Sequence, residues 1–513
     1  MSSSPIYTSP YPPLPPIPSV NAHHLLLGRP EQEGWEDFAL YVDPGSGEVD
    51  DDGKASTETG SGSAEGSGTK NGSGTDTTDT FHVFRQRVAV AATVLARQLE
   101  EMGVGMRAEP RPIVGILSEN CVTFATAAHA LLRLANPFAL LPAHATAYEL
   151  GHSLRLTGAK VVLVGKGLEG RVEQAGVQGV RVLQMERADS TGAASLDGLI
   201  DAYLAPSLPP STASPPSTTT PLLPPRPATP STLAYLVLSS GTSGLPKAVM
   251  ITHGNLIASL FQVLVVGQTM QAALAGTKAT LPPSPFYSAS TGSDTPPPSD
   301  TTPPHSTLLA FLPMYHSYGL HTHLFRNFLT PTTTVVMRKW EVGSAMRLVG
   351  RYKITTLTLV PSVVHQLVTL ATAPPTLFPS SHSSSSSNSS SSSNSSSPSH
   401  SSSSSNSSSS SHSSSSSHSS SSSHSPSSTT TSPSPPSGHT LHAQDNEKKL
   451  GPHDIRTALA GVSIKRALSG VSIKRALSGV SSLMCGAAHL PVDLRDRFLD
   501  TCAPHAAMGS ARR

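Results

Sequence analysis

A short loop rich in glycine and hydroxyl side chains carries the strongest chemical signal in the sequence. It runs from Ser239 to Lys247 and follows an apolar stretch, Leu233–Leu238, that predicts a buried strand. Glycines admit backbone conformations that other residues resist, and consecutive N–H groups around them form a concave site for oxyanions. A lysine beside such a loop adds a charge that suits phosphate. The spacing excludes a Walker A motif, and a flexible Gly/Ser linker is the alternative interpretation.

We predict that the hydroxyls of this loop bond phosphate oxygens and that Lys247 supplies the charge. The ordinary alternatives are hydroxyls that fill turns and a solvated lysine at a strand edge. The predicted phosphate-binding residues are Ser239, Ser240, Gly241, Thr242, Ser243, Gly244 and Lys247.

Two later segments combine aromatic, histidine and small residues. Phe311–Leu320 reads Phe-Leu-Pro-Met-Tyr-His-Ser-Tyr-Gly-Leu and contains Tyr315 and His316. Leu483–Leu490 contains the run Gly-Ala-Ala at 486–488. Each segment also has an ordinary interpretation by itself: a partly buried histidine, a core tyrosine and a tight turn.

In this order, the three segments resemble the adenylate-forming superfamily, and the chain looks most like coumarate–CoA ligases among its acyl-CoA synthetases. Further stretches that resemble those ligases are Ala135–Pro137, Ala147–Leu154, Val335–Trp340 and Tyr352–Ser362. The resemblance implies a reaction in two halves. A carboxylate attacks the α-phosphate of ATP to give acyl-AMP and pyrophosphate, and a thiol, usually that of CoA, then displaces AMP.

The resemblance also implies roles for particular residues. The loop would bind the phosphates of ATP, with Thr242 as a contact to Mg²⁺, and His316 would be the catalytic residue beside the acyl site. ATP, Mg²⁺ and CoA are the implied cofactors, and a small-molecule carboxylic acid is the implied substrate. His489 departs from the proline usual in the family. The implied adenine and acyl pocket consists of Tyr315, Gly486, Ala487 and Ala488.

Several family motifs have no counterpart in residues 1–513. These are a Tyr-Gly-x-Thr-Glu segment whose glutamate helps to hold magnesium, an aspartate for the ribose hydroxyls, and a small C-terminal domain with a catalytic lysine. Met508–Gly509 falls where the strand before the first of these should begin. We therefore expect a partial N-terminal domain over 1–513, without the small domain, and little or no complete ligase activity.

Alternating strand and helix patterns predict an α/β fold with a largely parallel sheet covered by helices. By resemblance, this is the large N-terminal domain of the adenylate-forming fold, incomplete and interrupted by disordered insertions. A helix is predicted over Phe81–Glu101 and another over Cys121–Leu134. Further strands are predicted at Pro112–Leu117, Ala159–Val164 and Val180–Gln184.

Four low-complexity blocks divide these elements. They lie at about 44–80, 206–230, 281–304 and 380–437, and they are rich in Gly, Ser, Thr and Pro, the last mostly serine. Such composition offers too little apolar surface to offset ordering entropy, so we expect disordered surface insertions. Before the Gly-Ala-Ala run, Gly461–Gly470 is repeated as Gly470–Gly479. We interpret this as a duplicated stretch beside an insertion, with a basic patch as the alternative.

Overall composition excludes several classes of protein. The net charge is +2, which gives no indication of a nucleic-acid partner. Three cysteines, Cys121, Cys485 and Cys502, are too few for a disulfide framework and favour a reducing compartment. No secretory signal and no membrane span are expected, and the sequence does not indicate an oligomeric state. We expect an intracellular protein, in the cytoplasm by preference, with the peroxisome as the alternative for a full-length form.

Two rivals to the ligase interpretation remain open at the sequence level. One is a non-catalytic protein that binds a nucleotide or an acyl group. The other is an interaction protein whose Ser-rich block, 380–437, is a docking segment.

Overall fold

A computed structural model describes residues 9, 11–45, 76–105, 110–187, 195–205, 221–239, 245–274, 305–372 and 473–510. All of them belong to one compact unit formed by Met1–Phe378 and Ile464–Arg513. The strands are β1 Ala39–Asp43, β2 Thr77–Thr80, β3 Val114–Leu117, β4 Phe138–Leu141, β5 Val161–Val164, β6 Arg181–Gln184, β7 Leu233–Ser239, β8 Lys247–Thr252, β9 Ser306–Ala310, β10 Thr332–Val336, β11 Thr356–Leu359, β12 Ser482–Cys485 and β13 Ala507–Ser510.

The helices alternate with these strands along the chain. They are α1 Ala22–Leu27, α2 Phe81–Glu101, α3 Val122–Arg133, α4 Ala147–Thr157, α5 Arg171–Gln174, α6 Leu196–Leu204, α7 His253–Leu274, α8 Ser317–Leu320, α9 Val342–Arg351, α10 Pro361–Thr372, α11 Ile473–Ala476 and α12 Val492–Cys502. A π-helical turn, His321–Phe325, follows α8, and 3₁₀ turns lie at Pro30–Gly34, Arg326–Phe328 and Leu477–Gly479.

The strands form two sheets, and with the surrounding helices they confirm the predicted α/β class. The first has seven strands in the order β13-β12-β11-β9-β10-β1-β2, and the second has six in the order β6-β5-β3-β4-β7-β8. Neighbouring strands are parallel except for the pairs β1–β2 and β7–β8. Parallel neighbours place their carboxyl ends at one edge of each sheet, which is where open α/β sheets bind ligands.

A shared core holds the two sheets together. Tyr41 from the first sheet and Ile116 from the second belong to the same buried cluster as Phe84 of α2 and Phe124 of α3. Local sequence stabilises the starts of helices α2 and α4, because Thr80 caps α2 and the Thr146–Glu149 capping box begins α4. The predicted helices and strands are confirmed, with bounds that differ by a few residues.

The structure corrects the limits of two low-complexity blocks. Thr77–Thr80, assigned to the first block, forms β2 and pairs with β1, because its β-branched threonines suit an edge strand. Residues 221–230, assigned to the second block, are ordered: the Leu223 N–H donates to Thr93 Oγ1 at 3.0 Å, and Leu223 packs against the core. Prolines in this stretch reduce the entropy lost on ordering. The blocks at 281–304 and 380–437 lie outside the described residues.

The second copy of the nine-residue duplication forms part of the core. Ile473 and Leu477 are buried, whereas Lys474 and Arg475 between them are exposed. The copy therefore acts as an amphipathic connection into β12. The first copy, Gly461–Gly470, lies entirely outside the described residues.

Candidate functional site

The neck of the predicted phosphate loop is an antiparallel hairpin. Ser239, the last residue of β7, lies opposite Lys247, the first residue of β8, and the Ser239 hydroxyl donates to the Lys247 carbonyl at 3.5 Å. Lys247 is exposed at the carboxyl edge of β7. The other predicted phosphate contacts, Ser240, Gly241, Thr242, Ser243 and Gly244, lie outside the described residues.

A histidine in α4 anchors the end of this loop. His152 Nε2 donates to the Pro246 carbonyl at 3.0 Å, immediately before Lys247. Sequence reasoning did not identify His152, because a single histidine in a helix gives no signal about a contact 94 residues away. The contact fixes the position of the backbone that presents Lys247.

The residues just after β8 are structural. Thr252 and Asn255 exchange hydrogen bonds that start α7, and His253 Nδ1 accepts the Ala22 N–H at 3.1 Å. A side chain at Gly254 would meet the Pro230 carbonyl at 2.7 Å. Packing and helix capping therefore account for the run Thr-His-Gly-Asn at 252–255.

Tyr315 and His144 connect the second predicted segment to the sheet that holds the loop. His144, three residues after β4, places Nδ1 2.9 Å from the Tyr315 hydroxyl. Because β4 and β7 are parallel neighbours, His144 and Ser239 lie at the same edge of that sheet. Burial, together with the negative Glu119, raises the pKa of Tyr315, so its hydroxyl is a neutral hydrogen-bonding group.

Asn120 fastens the carboxyl edges of the two sheets to each other. It follows β3, is fully buried, and its Nδ2 donates to the carbonyls of Ala310, Leu312 and Met337 at 3.2, 3.0 and 3.2 Å. Its Oδ1 accepts the Met314 N–H at 2.8 Å. These bonds hold the segment leading to Tyr315 and His316, and all polar atoms of the side chain are used.

The third segment meets the second through Tyr318 and Gly486. A Cβ on Gly486 would lie 2.8 Å from Tyr318 Cζ, so the ring fills the space that any other residue would need. Gly486 is buried, and Ala487 and Ala488 beyond it are exposed. Ala487 has φ +68°, a left-handed conformation that is costly for alanine and common at ligand clamps.

His316 lies at the open side of these contacts. It is the N-terminal cap residue of α8 and is exposed, and its ring makes no hydrogen bond to a described residue. The structure thus places His316 next to Tyr315, and its catalytic role stays a prediction.

A buried group of polar side chains follows α8 and was not predicted from the sequence. In the π-helical turn, His321 Nε2 lies 2.8 Å from the Tyr235 hydroxyl and Nδ1 lies 3.3 Å from Ser259 Oγ. Burial lowers the pKa of His321 to about 4, and the nearby Arg326 guanidinium also lowers it. Burial raises the pKa of Tyr318 to about 12. π-helical turns are frequent at functional sites.

Comparison with known proteins decides the family. A family model described as AMP-binding enzyme matches residues 75–510. The chain belongs to the AMP-binding enzyme family. The predicted adenylate-forming class is thereby confirmed, and the matched range includes the loop Ser239–Lys247 and the segments Phe311–Leu320 and Leu483–Leu490.

Plant ligases are among the curated relatives of this AMP-binding chain. 4-Coumarate–CoA ligase 3 of Oryza sativa subsp. japonica is 27% identical over 295 residues, which cover 55% of this chain and 42% of the relative. 4-Coumarate–CoA ligase of Pinus taeda is 23% identical over 293 residues, covering 56% of this chain and 44% of the relative. The chain therefore spans less than half of the length of these relatives.

Among solved structures, a long-chain-fatty-acid–CoA ligase from Archaeoglobus fulgidus is 18% identical with a TM-score of 0.47. The match covers 71% of this chain and 56% of that chain.

Two further observations bear on the cofactors and partners expected of an AMP-binding enzyme. Within the described part of the chain, no group of three or more His, Cys, Asp or Glu side chains is arranged to hold a metal ion. The predicted Mg²⁺ contact, Thr242, lies outside that part. Across the described ranges, no helix is both long and apolar enough to span a bilayer.

Proposed function

We propose that this chain binds ATP and a small carboxylic acid at the joined carboxyl edges of its two sheets, and that the site serves acyl adenylation. The main support is a pair of contacts that bring the three segments together at this edge: the loop Ser239–Lys247, Phe311–Leu320 and Leu483–Leu490. Tyr315 meets His144 beside the strand that carries the loop, and Tyr318 meets Gly486. Family membership supports the nucleotide as the ligand.

Each part of the site has a proposed role. The loop from Ser239 to Lys247 binds the phosphates through N–H groups, hydroxyls and one ammonium. Gly486 and Ala487 with Ala488 form a shelf of small residues for the adenine ring, since two of the three are exposed and the third is backed by Tyr318. This arrangement fits a flat base.

The acid is proposed to enter beside Tyr315 and His316. The neutral Tyr315 hydroxyl and the exposed His316 ring are the polar groups near a carboxylate there. Its oxygen attacks the α-phosphorus of ATP, an acyl–O–P bond forms, and pyrophosphate leaves. Mg²⁺, when bound, neutralises charge on the phosphates, and Thr242 is its proposed contact. A fixed Lys247 charge contributes in the same way.

For the acid we propose a chemical class, an aromatic carboxylic acid. The plant relatives are named for 4-coumarate, and an aromatic acid is therefore the first substrate to examine. CoA is the proposed acceptor in the second half of the reaction. Because the magnesium glutamate, ribose aspartate and catalytic lysine implied by the resemblance have no counterpart in residues 1–513, we infer that these residues alone bind ligands without completing thioester formation.

ATP affinity of a Lys247 variant tests the proposal. Lys247→Ala should weaken ATP binding by about 1–3 kcal/mol, the range for a lost hydrogen bond to a charged group. Lys160→Ala is the matched control, because Lys160 is an exposed lysine just before β5, at the opposite edge of the same sheet. Isothermal titration calorimetry measures both. Equal affinities in two folded variants would refute the phosphate site, and ATP binding without pyrophosphate release on adding aromatic acids would favour a nucleotide-binding protein.

A further inference from the structure

A cationic cavity, separate from the candidate site, opens between α1, α2 and α3. It has a volume of about 310 Å³, and none of its lining residues belongs to the candidate site. One side is basic and polar and the other is apolar. The lining consists of His23, Leu27, His82, Arg85, Gln86, Ala89 and Arg133.

Arg133 carries a charge that no described carboxylate balances. Its NH1 donates to His23 Nε2 at 3.1 Å and its NH2 donates to the Leu223 carbonyl at 3.0 Å. Because a guanidinium only donates, His23 must accept at Nε2 and is a neutral imidazole. Both partners are therefore neutral, and across the described ranges no carboxylate oxygen lies within ion-pair distance of Arg133. Each terminal nitrogen keeps one further N–H.

Arg85 brings a second positive charge to the same cavity. It forms an ion pair with Glu33 at 2.8 Å, but the Glu33 side chain is 67% exposed. Such exposed pairs contribute little and exchange readily with solvent. Arg85 and Arg133 line the same cavity. Burial lowers the pKa of Arg133, and the Arg85 charge lowers it further, as expected for two like charges that repel each other. A dianion between them would remove this repulsion.

We propose that the cavity binds a phosphate monoester, with the phosphate between Arg85 and Arg133 and its substituent against Leu27 and Ala89. Two guanidinium groups, with the Gln86 amide and the His82 ring, offer more donors than the two oxygens of a carboxylate would use. The volume of about 310 Å³ lies at the lower end of the range of about 300–1,000 Å³ for small-molecule sites, so the cavity has room for more than a bare ion. Leu27 is buried and gives the substituent an apolar wall.

Titration of the 1–513 chain with phenyl phosphate and inorganic phosphate tests this site. Because the loop near Lys247 is also proposed to bind phosphate, the measurement is made in the Lys247→Ala background by calorimetry. Saturable binding should persist there, tighter for phenyl phosphate than for inorganic phosphate. Arg85→Gln and Arg133→Gln should each weaken it by at least about tenfold. Arg97→Gln, an exposed arginine on α2 paired with Glu101, should leave it unchanged.

Three results would overturn the proposal. The first is binding that disappears with Lys247→Ala and survives Arg85→Gln, since the phosphate would then occupy the loop. The second is an affinity for benzoate equal to that for phenyl phosphate. The third is the absence of saturable binding. Because Arg133 is partly buried, circular dichroism verifies that its variant folds, and the exposed His82→Ala should weaken binding in the same direction without that risk.

Discussion

At the scale of single residues, Gly486 is required by packing and not by its backbone conformation. Its φ is not in the left-handed region, which Ala487 occupies instead. What excludes a side chain at Gly486 is the ring of Tyr318, 2.8 Å from the position of a Cβ. The small residue thus allows an aromatic ring from the second segment to support the third.

Gly486→Ala should therefore destabilise the fold by about 1–3 kcal/mol, the usual cost of overpacking. Gly479→Ala is the matched control, because a Cβ there meets nothing within 4 Å. We expect it to be neutral or slightly stabilising. Urea unfolding of both variants measures the difference, and equal midpoints would show that Tyr318 moves aside without cost.

The candidate site residues could be predicted from the sequence, but the side chains that contact and position them could not. The loop, Tyr315 and the Gly-Ala-Ala run are short local patterns. His144, Asn120 and His152 act over long sequence separations, and only their position just after a strand or on a helix is visible locally. Such side chains can be assigned once strand order is known, because strand order decides which loops meet.

At the scale of elements, the second copy of the duplicated nine residues supplies a packed connection into β12. The second copy buries Ile473 and Leu477, and Val480 is also buried just before β12. The duplication is visible in the sequence, but the packing of the second copy is not, because two identical copies have identical patterns. The second copy directly precedes β12, and its apolar residues therefore reach the core.

Deleting residues 461–469 should leave stability unchanged. The remaining copy is identical and still adjoins β12, and loop-closure entropy changes only with the logarithm of length. In the shortened chain, Leu477→Ala should lower the free energy of unfolding by about 2–5 kcal/mol, because Leu477 is fully buried. Thermal unfolding followed by circular dichroism compares the three proteins. A large loss of cooperativity in the deletion itself would mean that the first copy has packing of its own.

At the scale of the whole molecule, buried neutral histidines make stability depend on pH. Burial lowers the pKa of His129 and His253 to about 4 and that of His323 to about 3. The unfolded chain takes up these protons near pH 6.5, and the folded chain only near pH 4 or below. Stability is therefore fully present above pH 6.5 and is lost as the pH falls, by about 2 kcal/mol for each histidine at pH 5.

Two carboxyl groups act in the opposite sense. Burial raises the pKa of Asp43 and Asp197 to about 6. At pH 5 the folded chain therefore binds these two protons and the unfolded chain does not, which adds about 1.4 kcal/mol of stability for each carboxyl group. The histidines outweigh them, and the free energy of unfolding should fall by a few kcal/mol between pH 7 and pH 5. Urea titrations across this range measure it. Unchanged or rising stability would contradict the burial of these imidazoles, and His129→Gln should reduce the slope.

The architecture was largely predictable because its strands and helices have strong periodicity and caps. The limits of the low-complexity blocks were less so. Thr77–Thr80 looks like part of a Gly/Ser/Thr block, and its strand exists only because β1 offers an edge to pair with. Residues 221–230 are ordered by contacts with α2 and α3, which composition does not reveal.

Photolabelling with 8-azido-ATP reports where the adenine ring lies and therefore tests the proposed nucleotide site. We expect label on the 1–513 chain in peptides containing Gly486–Ala488 or Tyr315–Tyr318. Excess ATP should prevent it, and Lys247→Ala should reduce it while Lys160→Ala does not. Mass spectrometry of the labelled peptides locates the site. Specific label elsewhere, or label at these peptides that is insensitive to ATP and to Lys247, would contradict a nucleotide site at the joined edges of the two sheets.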